Sequence, residues 1–151
     1  ENVGLAVQAR ERHSYRFWAR ARSDRRMSDD AHEVVAQIGL ADHANTTAAD
    51  LAHGHQRQLE LAMALAVRPK FLLLDEPMAG MSVEESARMI SVLQGIKGTV
   101  GILLIEHDMS AVFALADKVT VLVYGRVIAT GDPAEIRAND DVRIAYLGDD
   151  G

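Results

Sequence analysis

The stretch FLLLDEP, residues 71–77, joins a continuous apolar run to two acids and a proline. Such a run is typical of a strand that is buried on both faces, as in a parallel sheet. Residues 99–105 contain a second apolar run, which ends in Glu106, His107 and Asp108. Because ligands bind at the carboxyl ends of parallel strands, the charged residues that follow both strands predict one shared site.

Local signals predict three helices ahead of the first strand. One is predicted over residues 3–22, and Ser28 is predicted to cap a second helix that ends before Gly39. A third is predicted from about His55 to Val67, with Pro69 as its stop signal.

After the first strand, helices and strands are predicted to alternate. Ser82 and Glu85 match a capping box at the start of a helix that runs to Ile96. The later elements predicted are a helix over 109–116, strands over 119–123 and 127–129 joined by a turn at 124–126, a helix opened by Asp132, Pro133 and Glu135, and a last helix with Val142, Ala145, Tyr146 and Leu147. This order predicts an α/β fold with right-handed crossovers and a mostly parallel sheet.

Composition indicates one globular domain of ordinary size. The chain has 151 residues, of which 48% are hydrophobic and 25% charged. The lack of cysteine excludes disulfides and thiolate metal sites. No apolar run approaches the roughly 20 residues that cross a bilayer as a helix. Any role at a membrane is therefore expected to depend on a partner protein.

The net charge of −6 is unevenly distributed along the chain. Residues 1–27 hold seven arginines and three acids and so carry +4, while the remainder carries −10. A basic arm of this kind can bind nucleic acid or anionic lipid, or it can be the solvated surface of a helix. The aromatic residues are grouped at Tyr15, Phe17 and Trp18 instead of being spaced for base stacking, which favours the solvated helix.

The acids at positions 75 and 76 suit the chemistry of phosphoryl transfer. A buried strand would hold Asp75 rigidly toward Mg²⁺, mainly through a bound water. It would also direct Glu76 at an attacking water as a general base. The alternative is an ordinary strand end with two solvated acids.

Residues 51–57, LAHGHQR, precede a predicted helix and place a glycine at position 54. The free N–H groups and the dipole of a helix N-terminus favour anions, and Gly54 lets the backbone approach a phosphate closely. The alternative is a capped loop with a turn glycine. A metal site formed by His43, His53 and His55 is disfavoured, because no pattern of supporting carboxylates accompanies these residues.

His107 directly follows the second predicted strand. A histidine at this place can bond a terminal phosphate and respond to its loss, although a lone histidine is more often a surface or core residue. Its position one strand–helix–strand step after Glu76 favours the functional interpretation.

Together, these motifs resemble those of the ATP-binding cassette (ABC) ATPases. Residues 51–57 resemble the ABC signature motif, and residues 74–77 resemble Walker B at the usual distance. Residues 79–82, AGMS, lie where the family has its D-loop, and residues 106–108 match the switch region. The resemblance implies a RecA-like P-loop NTPase fold. It implies a helical signature subdomain at residues 1–68 and the C-terminal half of the ATPase core at residues 69–151.

Several short segments resemble those of one branch of this family, the ATPase subunits of branched-chain amino acid importers. They are AGMS at 79–82, IEHDM at 105–109, AYLG at 145–148 and QLELA at 58–62. Urea importers and the lipopolysaccharide-export ATPase share parts of this pattern and stay as alternatives.

The resemblance also implies a role for each motif. Signature residues are implied to face the ATP that the opposite subunit of a dimer binds, and D-loop residues to run along the dimer seam. Asp75 is implied to serve Mg²⁺ through water, Glu76 to polarise the attacking water and His107 to contact the γ-phosphate. The implied nucleotide-contacting residues are Ala52, His53, Gly54, His55 and Gln56 in the signature, and Ala79, Gly80 and Ser82 in the D-loop.

The partners implied by the resemblance are all proteins of a transport system. They are transmembrane permease subunits, reached through coupling helices, and a second ATPase subunit, either identical or related. A solute-binding protein outside the membrane would act indirectly, and no nucleic acid is expected. The implied location is peripheral, on the cytoplasmic face of the cell membrane, with the fragment itself soluble.

The chain departs from the family pattern in one large respect. No G-x-x-x-x-G-K-[ST] sequence, the Walker A loop that cradles the phosphates, occurs in it. We therefore expect a fragment that begins within the domain, binds ATP and Mg²⁺ weakly and is inactive alone, while the intact parent is an ATPase.

Smaller departures bear on catalysis. Ala52 stands where the signature usually has a serine, and losing one hydrogen bond to a charged phosphate costs about 1.5–3 kcal/mol. Met78 replaces a usual threonine and Val83 a common proline. These departures support an alternative of another class, a non-catalytic binding or assembly module that kept the fold. A soluble cassette of repair or translation is disfavoured, because such proteins usually carry two cassettes or long insertions.

Overall fold

The computed structural model describes residues 1–10 and 25–147, and the chain divides into two compact units. The first unit spans Glu1–Leu103 and the second spans Leu104–Gly151. The subdomain boundary after residue 68 that the resemblance implies stays a prediction.

Three helices pack on one another in the first unit. They are α1 at Asn2–Arg10, α2 at Arg25–Gln37 and α3 at His53–Ala66, with 3₁₀ turns at Ala41–His43 and Ala48–Asp50. Each helix is short, so its stability depends on the apolar face it buries. Val7 of α1 and Ala62 of α3 are fully buried, as is Ile38, which directly follows α2.

The end of α2 has the geometry that its glycine predicts. Gly39 has φ +76°, its N–H donates to the Ala36 carbonyl at 2.9 Å, and the Leu40 N–H donates to the Val35 carbonyl at 2.9 Å. This pair of bonds is the Schellman motif, which needs a residue in the left-handed region. Gln58 of α3 is buried and donates from Nε2 to the Ile38 carbonyl at 3.2 Å. The bond ties the start of α3 to the end of α2.

The predicted starts of α2 and α3 need correction. Ser28 does not cap α2, because the helix begins three residues earlier at Arg25 and Ser28 Oγ instead lies 3.3 Å from Nδ1 of His32, within the same helix. The third helix begins at His53 instead of His55. The first predicted helix is confirmed over Asn2–Arg10, and its continuation over residues 11–22 lies outside the described residues.

A strand–helix–strand segment follows α3 in the chain. Strand β1 covers Phe71–Asp75, α4 covers Val83–Ile96 and β2 covers Gly101–Ile105, and β1 and β2 pair in a two-stranded parallel sheet. Helix α4 begins with the predicted capping box: Ser82 Oγ accepts from the Glu85 N–H at 3.2 Å, and Glu85 Oε2 accepts from the Ser82 N–H at 2.9 Å. The buried face of α4 is formed by Met89, Leu93 and Ile96.

The expectation that β1 is buried on both faces is wrong for this chain. Leu72 is buried, whereas Phe71 and Leu73 keep 59% and 63% of their surface exposed. The same holds for β2, where Leu103 is 51% and Ile105 is 49% exposed. Alternate side chains of a strand point to opposite faces, so one face of this small sheet is covered and the other is open.

The second unit is built on a β-hairpin. Helix α5 covers Met109–Leu115, β3 covers Val119–Val123 and β4 covers Arg126–Gly131, antiparallel to β3. The predicted turn is confirmed: Tyr124 and Gly125 both have positive φ, +48° and +75°, as a two-residue type I′ turn requires. Helix α6 at Pro133–Arg137 begins at the predicted residues, with Asp132 as its N-cap and Pro133 at its start, and Asp132 and Glu135 form a capping box.

The core of the second unit joins the hairpin to its last helices. Short helix α7 covers Asp140–Val142 and continues as a π-helical turn over Arg143–Leu147. Val119, Val121, Ile136 and Val142 form the buried cluster. Tyr146 donates from its hydroxyl to the Leu122 carbonyl at 2.6 Å, which holds the C-terminal turn against β3.

Candidate functional site

Asp75 and Glu76 lie where β1 ends, and both are exposed. Glu76 has φ +45°, in the left-handed region that residues other than glycine rarely adopt. The chain turns immediately afterwards, with the Ala79 N–H donating to the Glu76 carbonyl at 3.1 Å. The two carboxylates are thus presented at the end of the strand, as the sequence predicts.

The backbone of Glu76 differs from that of the other two such residues, because it begins the turn after β1 and belongs to neither a hairpin nor a helix end. Among the described residues, only Arg68, Glu76 and Tyr124 are non-glycine residues with positive φ. Tyr124 belongs to the hairpin turn, and Arg68 closes the C-terminus of α3 with its N–H on the Leu65 carbonyl at 2.8 Å. Unusual backbone that lacks such an explanation often marks a functional position.

Asp75 borders an open cleft of about 200 Å³ in the first unit. Arg57 and Glu60 of α3 line the same cleft, and their side chains form an ion pair of 2.9 Å. The described residues contain no group of three or more His, Asp or Glu side chains arranged to hold a metal ion. An exposed carboxylate such as Asp75 suits Mg²⁺, which proteins commonly bind through one or two carboxylates, waters and the phosphates of the substrate.

Gly54 is the second residue of α3, and its N–H donates to a carboxylate. The Gly54 N–H donates to Oε1 of Glu85, on α4, at 3.2 Å. A Cβ at Gly54 would lie 2.5 Å from that oxygen, so only glycine admits this contact without a shift of Glu85. At the start of α3 the Gly54 amide thus donates to a carboxylate of the same chain, and its binding of a phosphate stays a prediction.

The signature and the D-loop residues are brought together by the same contact. Glu85 binds Ser82 with its other oxygen, and a Cβ at Gly80 would lie 3.4 Å from Nε2 of His53. Gly80 has φ +75°, so a side chain there would also strain the backbone. Two motifs that stand far apart in the sequence thus form one surface of the first unit.

The other signature residues have different surroundings. Gln56 donates from Nε2 to the Ala48 carbonyl at 3.2 Å, and the ring centroids of His55 and His43 lie 4.3 Å apart. Ala52 is exposed at the N-cap of α3 and offers no side-chain acceptor. An N-cap side chain normally accepts from the second or third N–H of the helix. Glu85 supplies this acceptor from α4.

Glu85 is the functional candidate that sequence reasoning missed. Its capping-box role was visible from the S-x-x-E spacing, but nothing local could reveal its bond to Gly54, 31 residues away. Its pKa is lowered from the ordinary value of 4.5, chiefly by the hydrogen bond from the Ser82 backbone. The Ser82 hydroxyl, the Gly54 N–H and the charge of Arg88 act in the same direction, against partial burial. The charged carboxylate therefore stabilises the fold above pH 4.5, and this contribution is lost as the pH falls through the lowered pKa.

His107 lies in the second unit, just after β2. Its side chain is 71% exposed, while that of Glu106 is 2% exposed. The His107 N–H donates to Oε2 of Glu106 at 3.2 Å, and Nδ1 lies 3.9 Å from the same oxygen. Asp108 then caps α5 by accepting from the Ser110 N–H at 2.9 Å. The proximity of His107 to Glu76, which belongs to the other unit, stays a prediction.

Two family comparisons match different parts of the chain. Residues 1–79 match the family described as ABC transporter. Residues 126–151 match the family described as branched-chain amino acid ATP-binding cassette transporter. The first match covers the signature and the residues through Ala79, and the second covers β4 and the C-terminal helices.

Curated relatives carry related descriptions. The chain is 42% identical over 123 residues to the high-affinity branched-chain amino acid transport ATP-binding protein LivG of Salmonella typhimurium, covering 80% of this chain and 48% of LivG. It is 38% identical over 130 residues to BraF of Pseudomonas aeruginosa, of the same description, covering 85% and 51%. The lipopolysaccharide export system ATP-binding protein LptB of Escherichia coli is 34% identical over 125 residues, covering 81% and 51%. The chain thus spans about half the length of these relatives.

Solved structures share the fold. MJ1267, an ATP-binding cassette of an ABC transporter, matches with a TM-score of 0.76 at 21% identity, over 97% of this chain and 62% of that one. CbiO1 of Clostridium perfringens, part of an ABC transporter complex, matches with a TM-score of 0.74 at 22% identity, over 96% and 56%.

The fold and the motifs around β1 and α3 are those of a nucleotide-binding cassette. The chain belongs to the ABC transporter family. Within the described residues, no helix is both long and apolar enough to span a membrane.

Proposed function

We propose that this chain is the C-terminal part of an ATP-hydrolysing subunit of an ABC importer. The observation that supports this proposal is the hydrogen bond of 3.2 Å from the Gly54 N–H to the carboxylate of Glu85, because this amide of the segment that resembles the signature donates to an anionic oxygen. The family pattern gives this amide a phosphate of ATP as its ligand. Residues 1–68 would be the helical signature subdomain and residues 69–151 the C-terminal half of the ATPase core.

The residues of the site divide the work of hydrolysis between them. The Gly54 N–H would bind a terminal phosphate oxygen, with Ala52, His53, His55 and Gln56 around it. Asp75 would hold Mg²⁺ through water, and the ion when bound neutralises charge on the phosphates. Glu76 would accept the proton of the attacking water. His107 would contact the γ-phosphate, and Ala79, Gly80 and Ser82 would line the seam with the second subunit.

The partners follow from this division of the site. A second ATPase subunit would supply the nucleotide that faces Gly54, and permease subunits would receive the movement through their coupling helices. The complete protein would therefore act peripherally at the cytoplasmic face of the membrane. A solute-binding protein would act only through the permease.

Branched-chain amino acids are the proposed cargo. The relatives LivG and BraF are described as branched-chain amino acid transport proteins, and the C-terminal family match carries the same description. Lipopolysaccharide export is less well supported, because LptB matches at lower identity.

A non-catalytic binding or assembly module is the second candidate. Ala52 favours it, because this residue lacks the hydroxyl that the signature normally offers to phosphate. Hydrolysis of MgATP separates the two candidates. We expect the complete protein that carries this segment to hydrolyse MgATP and to dimerise when ATP is present, as measured by phosphate release and light scattering. A complete, folded protein that binds no ATP and releases no phosphate would favour the module.

Ala52→Ser is expected to increase the affinity of the complete protein for ATP. The new hydroxyl would donate a hydrogen bond to a phosphate oxygen. A hydrogen bond to a charged group contributes about 1.5–3 kcal/mol, which would lower the apparent KM for MgATP roughly tenfold or more. The measurement is the dependence of phosphate release on MgATP concentration. Ala138→Ser, at an exposed helix end in the second unit, is the control. An unchanged KM in Ala52→Ser would contradict the placement of residue 52 beside phosphate.

A further inference from the structure

Helix α3 begins without a cap from its own sequence. Its N-cap, Ala52, has extended backbone angles of φ −60° and ψ 153° but no side-chain acceptor. The N–H of Gly54, the second residue of the helix, is one of the amides that an N-cap side chain would otherwise satisfy. It is also the amide that the proposed function assigns to a phosphate oxygen.

The carboxylate of Glu85 accepts a hydrogen bond from this amide and another from the D-loop. Oε1 accepts from the Gly54 N–H at 3.2 Å, while Oε2 accepts from the Ser82 N–H at 2.9 Å. One charged group thus fixes the first turn of α3 and the first turn of α4. The pKa of Glu85 is lowered by these bonds, so the group is an anion at neutral pH.

A phosphate oxygen and this carboxylate oxygen cannot both bind the same N–H. Both are anions, so their approach is repulsive as well as sterically exclusive. We propose that Glu85 is a positioning residue: it holds the Gly54 amide in place of the missing Ala52 hydroxyl and has to release it before a phosphate oxygen binds. This inference rests on the proposed function for the identity of the ligand, a phosphate of ATP. The contact between Glu85 and the Gly54 N–H is observed independently of that function.

Glutamine at position 85 separates the two bonds of this carboxylate. A capping box works with glutamine as well as with glutamate, so Glu85→Gln keeps one amide oxygen for the Ser82 N–H. The other end of the side chain becomes an NH₂ group, which cannot accept from Gly54. The variant therefore removes the Gly54 contact and the charge while it retains the start of α4.

A matched control lies in the second unit. Glu135 forms the other capping box of the chain, with Oε2 accepting from the Asp132 N–H at 2.9 Å. Glu135→Gln makes the same chemical change at the same helix position in a different unit.

The first arm of the test observes the contact directly in the 151-residue chain. In ¹⁵N NMR spectra recorded against pH, the Gly54 amide resonance is expected to titrate below pH 4.5, following Glu85. This titration is expected to persist in Glu135→Gln and to vanish in Glu85→Gln. A Gly54 resonance that is the same in the wild type and in Glu85→Gln overturns the proposal.

The second arm measures competition in the complete ATPase. Because glutamine removes the competing carboxylate, Glu85→Gln is expected to lower the KM for MgATP about fivefold, which is the lower end of the usual coupling between two sites. The kcat is expected to stay within about twofold of the wild-type value. If Glu85 only stabilised the fold through its hydrogen bonds, the substitution would lower kcat or raise KM instead. Either result overturns the proposal. If the wild type and Glu135→Gln hydrolyse no ATP, the proposed function fails, and the NMR arm alone decides whether Glu85 holds Gly54.

Discussion

Glu76→Gln is expected to lower the rate of ATP hydrolysis by the complete protein about 10²–10⁴-fold while ATP binding is nearly unchanged. This range is the usual contribution of a general base. Glutamine has the shape of glutamate and can still orient a water, but it cannot take the proton that the water loses. The affinity for MgATP depends on other groups and should survive the substitution.

The position of Glu76 is the reason to expect so large an effect. Its side chain follows directly after β1, is exposed, and stands on a backbone with φ +45° that neither a hairpin nor a helix end explains. A residue held in an unfavourable conformation needs compensation from its surroundings. A requirement to orient a catalytic carboxylate would explain why Glu76 keeps this backbone conformation.

Phosphate release and equilibrium binding of ATP test this prediction together. Glu84→Gln is the matched control, because Glu84 is an exposed glutamate in the first turn of α4 and has no proposed role. A Glu76→Gln protein that hydrolyses ATP within a few-fold of the wild type would assign the base to another group. A variant that also loses ATP binding would indicate a role for Glu76 in holding the substrate.

The features predicted correctly from sequence are those decided by neighbouring residues. The capping box of α4, the N-cap of α6, the glycine that ends α2 and the Tyr124–Gly125 turn each need only a few adjacent positions. Their hydrogen bonds close within one turn of the chain, so residue type and spacing are sufficient. Asp75 and Glu76 belong to the same class, because a strand end fixes where they lie.

The features predicted wrongly depend on what surrounds an element. The apolar run of β1 suggests burial on both faces, yet Phe71 and Leu73 are exposed, because burial depends on neighbouring elements and not on the strand itself. Ser28 has the residue type of an N-cap but lies inside α2. Capping preference competes there with helix-forming residues ahead of it, and the sequence alone does not decide between them.

The candidate site shows the same division. The glycine of the signature and the capping role of Glu85 were each evident from sequence, but their contact was not. Nothing in either segment specifies a partner 31 residues away, and only the packing of α3 on α4 brings the two together. The absent hydroxyl of Ala52 was interpreted only as a loss toward phosphate. The structure adds that a carboxylate from another helix satisfies the amide such a residue would cap.

Leu93→Ala is expected to destabilise the first unit by about 2–5 kcal/mol, the range for removal of a buried leucine. Leu93 is 1% exposed and lies in the buried face of α4 with Met89 and Ile96. The substitution removes transfer free energy and leaves a cavity. Because Leu93 also lines the open cleft beside Asp75, part of that cavity can fill with water or relax, so we expect a cost near the lower end.

Urea unfolding followed by helical circular dichroism measures this cost, and Leu5→Ala provides the reference. Leu5 is 63% exposed on α1, in the same unit, so the same chemical change should alter the free energy of unfolding by less than about 0.5 kcal/mol. Equal effects of the two substitutions would mean that the α4 face is not a packed core. A loss confined to Leu93→Ala would show that the apolar face of α4, the helix that carries Glu85, is part of a packed core.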